Sequence, residues 1–95
     1  MRLHTAEQRA QYRQIMIPKG AVKDERSSDA GEVYAYELAG KFYVIAFRGS
    51  AGKPEFDYCY RKPEAREAKI AEFFESVAYH QERKAQRRAQ LQEAA

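Results

Sequence analysis

Residues 32–48 read EVYAYELAGKFYVIAFR, two runs rich in Tyr, Phe, Val and Ile joined by Ala39-Gly40. A two-residue link of this kind suits a tight hairpin in which glycine supplies the positive φ that the turn demands. Placing Leu38 opposite Lys41 sets the register: Tyr36 faces Tyr43, Tyr34 faces Ile45 and Glu32 faces Phe47 on one side of the ribbon. The other side carries Val33, Ala35, Phe42, Val44 and Ala46. Both sides of the second run are apolar. That pattern belongs to a central strand covered on both sides, or to a sheet with one face used for binding.

Toward the C-terminus, the turn Arg48-Gly49-Ser50-Ala51-Gly52-Lys53-Pro54 leads into a third strand over residues 55–60, where Phe56, Tyr58 and Tyr60 alternate with Asp57 and Cys59. The result is an antiparallel meander in the order 1-2-3. Pro63 at the first helical position, with Glu64 and Glu67 near the positive end of the dipole, then starts a long helix. Ile70, Phe73, Phe74 and Val77 recur at i, i+3, i+4 and i+7, one buried stripe. Residues 80–92, HQERKAQRRAQLQ, keep good helix formers, but Leu91 is their one large apolar group. The predicted helix therefore runs past the end of its own apolar side. About thirty helical residues span ~45 Å, against the ~17–20 Å of a typical strand.

Toward the N-terminus, Thr5 followed by Gln8 is a capping box. A short helix begins there with Tyr12, Ile15 and Met16 as its apolar side. It ends near Met16 because Ile17 precedes Pro18. Residues 18–31, PKGAVKDERSSDAG, read as a long polar loop, a secondary candidate for a binding element. The expected architecture is α+β: a short N-terminal helix, a three-stranded antiparallel meander and a long C-terminal helix packed on the sheet. Residues 1–79 form the compact domain and residues 80–95 a basic extension of the last helix.

Ninety-five residues allow one modest core. Seven Tyr and five Phe, beside a one-third share of charged residues, mark an ordered protein. The core is expected to take up any one tyrosine, with a surplus left on the sheet acting as a recognition surface. Cys59 is the single cysteine, which excludes an internal disulfide and points to a reducing cytoplasm. No apolar run reaches the ~20 residues of a membrane span. The net charge of +3 is unevenly spread: Lys and Arg exceed Asp and Glu by three over residues 1–20 and by two over 80–95, while residues 21–60 carry a net −2. Basic ends permit contact with phosphate or with an acidic protein surface.

Catalytic signatures are missing. His4 and His80 have no third partner at metal-ligand spacing, and Cys59 on a strand reads as a small packed side chain. The Gly49–Lys53 turn is followed by a strand, whereas a phosphate loop needs a helix there. The reading is a protein without enzymatic activity, cofactor or metal. The candidate partner-binding residues are Arg83, Lys84, Arg87 and Arg88 of the overhang, with Arg61, Lys62, Arg48 and Lys53 from the segments bounding the third strand. The overhang's cations either sit in solvent, favoured by the negative end of the helix dipole, or grip an anionic surface through bidentate arginines.

Helix, three strands, helix is also the order of the double-stranded RNA-binding domain, and residues 61–69, RKPEAREAK, resemble the basic start of that family's last helix. Pro63 and its flanking glutamates depart from the pattern. A second resemblance covers most of the chain. The run Gly31-Glu32-Val33-Tyr34, then Val44 to Gly49, then Lys53-Pro54-x-Phe56-x-Tyr58-x-Tyr60-Arg61, then Tyr79-His80-x-x-Arg83-Lys84-Ala85-x-Arg87-Arg88, is similar to the front part of uncharacterised proteins carried on prophages and conjugative elements. This resemblance implies a mobile-element origin, and with it an inhibitor of host defence of the anti-CRISPR type acting in the bacterial cytoplasm. The expected partner is a host defence protein or nucleoprotein complex, met by a monomer or weak homodimer. Direct binding of double-stranded nucleic acid is the alternative.

Overall fold

A computed structural model describes residues 5–94. Helix α1 spans Ala6–Met16, and strands β1 (Val22–Lys23), β2 (Gly31–Leu38), β3 (Lys41–Arg48) and β4 (Phe56–Tyr60) precede helix α2 (Pro63–Ala94). The strands form one antiparallel sheet in the order β1-β2-β3-β4. The fold is the expected α+β arrangement with one strand added.

Local chemistry explains each element. Thr5 Oγ1 accepts the Gln8 amide at 3.1 Å while Gln8 Oε1 accepts the Thr5 amide at 2.9 Å, which closes the capping box. Helix α1 stops at Ile17, extended as a residue before proline must be. The hairpin pairs Leu38 with Lys41, Tyr36 with Tyr43 and Glu32 with Phe47, the register expected from the alternation. Its turn takes positive φ at both Ala39 (53°) and Gly40 (76°), the geometry that matches strand twist.

The extra strand is the correction to the three-stranded reading. Val22 and Lys23 pair with Ala35 and Tyr34 inside what reads as a polar loop. Two residues are too few to show a period, so the pairing has no sequence signal. It covers the Tyr34–Ala35 part of the β2 edge, which would otherwise present a bare ladder there. The remainder of the loop is tied down too. The Asp24 amide donates to Val33 O at 2.8 Å, Ser27 Oγ accepts the Val33 amide at 3.0 Å, and Arg26 pairs with Asp24 at 2.8 Å and with Glu67 at 3.0 Å.

Val33, Val44, Ala46 and Phe56 on one sheet face meet Ile70, Phe73 and Val77 of α2 to make the core, with Ala30, Tyr60 and Phe74 at its margin. Each large side chain buried there contributes ~1.5–3 kcal/mol. Gly31 lets α2 approach: a Cβ at that position would lie 2.9 Å from both Phe73 and Val77 side-chain atoms. On the other face Ile45 and Phe47 are also buried, so the second half of β3 is covered on both sides. None of the strand tyrosines is fully buried; they sit at the core margin or on the surface.

Candidate binding surface

Helix α2 has 32 residues, but nothing after Val77 is buried among the described residues. Residues 80–94 extend ~22 Å beyond the packed part, and the molecule is 57 Å in its longest dimension. Lys84 and Leu91 continue the seven-residue step of Ile70 and Val77, and Arg88 lies one turn from Lys84. Lys84 and Arg88 therefore prolong the side of the helix that faces the sheet and overlook its end, while Arg87 lies on the flank and Arg83 turns toward exposed Tyr79. Arg83 donates to the Tyr79 hydroxyl at 3.3 Å and lies 5.8 Å from that ring. Lys84, Arg87 and Arg88 have no hydrogen bond or ion pair among the described residues and are fully available to an anionic partner.

The eight candidate cations do not converge on one patch. Arg48 donates both to Glu55, at 2.6 and 2.9 Å, and to Ser76 Oγ at 3.1 Å, with its guanidinium 5.1 Å from the Phe73 ring. The hydrogen bond from Arg48 holds the Glu55 carboxyl below its ordinary range and raises the Arg48 pKa in turn. Arg48 is a brace where α2 leaves the sheet. Lys53 is exposed on the β3–β4 turn at this same end. Arg61 and Lys62 are exposed just before α2, at the opposite end of the sheet, with ~32 Å of helix between Lys62 and Arg83. Cys59 is exposed on edge strand β4, in contrast to the packed side chain expected. His4 lies outside the described residues, and His80 is exposed.

A second surface lies at the overhang's end of the sheet, built around α1. Helix α1 buries none of its residues; Tyr12 and Met16 are each 43 % exposed and Ile15 79 %. It is held instead by arginines one turn apart. Arg9 Nε donates to Ser50 O at 2.9 Å, and Arg13 donates to Ala51 O at 2.6 Å, to Gly49 O and to Glu32 Oε1 at 2.9 Å while stacking over Phe47 at 4.9 Å. An apolar groove of about 620 Å³ results between Tyr12, Ile15 and Met16 on one side and Ala51 and Gly52 on the other, with Arg9 and Lys53 as its charged lining. The Arg9/Arg13 spacing was the available signal, outweighed in the sequence by the three apolar residues beside it.

Among the described residues no group of three His, Cys, Asp or Glu side chains could hold a metal ion, and no helix is long and apolar enough to cross a membrane. Comparison with protein-family models, with curated proteins and with solved structures gives no match to this chain.

Proposed function

We propose that this chain is a non-catalytic binding protein of a mobile element that inhibits a host nucleoprotein defence complex by direct contact. The observation that carries this reading is the overhang of α2: about four helical turns with no internal packing role, whose Lys84, Arg87 and Arg88 lack partners within the described chain. A solvated helix end has no need of Lys84 and Arg88 on its sheet-facing side. An anionic surface wedged between the overhang and the end of the sheet meets Lys84, Arg88 and the β3–β4 turn together, with Arg87 at its flank. Arginine suits that contact because its planar fork binds carboxylate or phosphate bidentately. The resemblance to prophage and conjugative-element proteins supplies the biological setting, and inhibition then follows from occupancy alone.

The test is made in a bacterial host with an active RNA-guided defence system and a targeted phage. Expression of the chain is expected to restore phage plating, and the combined substitution Arg83→Glu, Lys84→Glu, Arg87→Glu and Arg88→Glu to abolish the effect with an unchanged thermal midpoint. Retained protection against phage with the wild-type chain, or unchanged inhibition by the variant, overturns the reading. The rival, direct duplex binding, predicts affinity for naked double-stranded RNA or DNA with a steep salt dependence and no protein partner.

A further inference from the structure

The sheet face turned away from α2 is divided in two. Its Glu32–Phe47 end is closed by Arg13 of α1. The next rows across the ladder are Tyr34, Ile45 and Asp57, then Tyr36, Tyr43 and Cys59, then Leu38 and Lys41 at the hairpin. Here the aromatic side chains are part-exposed and α2 lies against the opposite face. Tyr36 and Tyr43 stack with ring centroids 4.8 Å apart and planes within 6°. A parallel pair leaves each ring one π face that its partner does not use, and among the described residues neither ring has another aromatic or cationic neighbour.

Cations border this pair. Lys41 precedes Phe42, whose ladder partner is Tyr60, and Arg61 follows Tyr60, so the register brings Lys41 and Arg61 to the same end of the sheet. Both are exposed and neither is in an ion pair within the described chain. Asp57, one row away, is exposed and can accept from an exocyclic base amine.

We propose that this half of the sheet binds a short run of single-stranded nucleic acid, with a base stacked on the Tyr36–Tyr43 pair and the neighbouring phosphates held by Lys41 and Arg61. The combination of a stacking platform with flanking cations is the chemistry that single strands need, because their bases offer free π faces that a duplex keeps stacked inside. The inference is independent of the overhang: it concerns the other end and the other face of the molecule, so either reading can fail alone.

The experiment is fluorescence anisotropy of the full chain with labelled oligo(U) and oligo(dT) of about 12 nucleotides and with a duplex of matched length, from about 50 mM salt upward. Single strands are expected to bind roughly tenfold or more tighter than duplex. Lys41→Glu with Arg61→Glu, both surface changes, should weaken binding roughly tenfold and flatten the salt slope. Tyr36→Leu with Tyr43→Leu should weaken it similarly, and Tyr36→Phe with Tyr43→Phe should keep it, since stacking needs the ring and not the hydroxyl. Reversal of Arg83, Arg87 and Arg88 should leave it nearly unchanged. Three results each overturn the proposal: no binding of either single strand at the lowest salt, equal affinity for duplex, or loss of binding only when the overhang is reversed.

Discussion

Arg13 donates to Glu32 at 2.9 Å while its guanidinium covers the Phe47 ring at 4.9 Å, so a charged side chain closes one end of the sheet face that α2 leaves open. Both partners are mostly buried, with side-chain exposures of 13 % and 21 %. Helix α1 thus owes its position to Arg13, with Arg9 beside it, more than to its own apolar residues. Arg13→Lys keeps the charge but loses the fork and the flat stacking surface. The expected cost is about 1–3 kcal/mol, with hydrogen-exchange protection lost in α1 and kept in β3 and α2. Unchanged protection in α1 would show that the helix is held by something else.

The same arrangement separates apolar residues that hold the fold from those that do not. Phe47 is fully buried and Ile15 is 79 % exposed. Phe47→Ala should cost about 3–5 kcal/mol, while Ile15→Ala should stay within about 0.5 kcal/mol. Urea midpoints of the two variants check the contrast; a large loss at Ile15 would place it in the core.

Gly31 sets the distance between β2 and α2. A methyl group there meets Phe73 and Val77 at 2.9 Å, and both are buried. Gly31→Ala should destabilise by about 1–3 kcal/mol through overpacking. Adding Val77→Ala makes room, so the double variant should lose less than the sum of the single ones; strict additivity would count against the steric account.

Ala39 occupies a left-handed turn position with φ of 53°. An L side chain with a Cβ costs roughly 1–2 kcal/mol there, and glycine gives back part of the gain through unfolded-chain entropy. Ala39→Gly is therefore expected to raise stability by about 0.5–1 kcal/mol, read from thermal or urea unfolding. A loss instead would mean that the turn relaxes in solution.

Stability should form a plateau in pH bounded by identifiable groups. Arg26 holds Asp24, and Arg48 holds Glu55, below their ordinary values of 3.8 and 4.5 by hydrogen bonding. Their contribution is complete above those values and lost as pH falls through the depressed folded ones. Desolvation on folding raises the phenols of Tyr34 and Tyr36 above 10.0, so stability from them is complete below that value and lost as pH rises through the raised ones. Unfolding midpoints from about pH 3 to about pH 11 should fall at both ends, with Asp24→Asn flattening the acid limb and Tyr36→Phe the alkaline one.

The sequence by itself determined the features that depend on near neighbours in the chain. The Thr5–Gln8 box, the stop before Pro18, the Leu38–Lys41 register and the stripe from Ile70 to Val77 are fixed by spacing, because helical and strand periods are local geometry. The exposed basic overhang follows the same way, from the end of that stripe. Only the tertiary structure decided what distant groups do to each other. The pairing of Val22 and Lys23 with β2, the capture of Arg48 by Glu55 and Ser76 and the seating of α1 through Arg9 and Arg13 all depend on which elements meet. A cation reads the same in sequence whether it grips a carboxylate across the sheet or waits in solvent, because its partner is chosen by the fold and not by its neighbours in the chain.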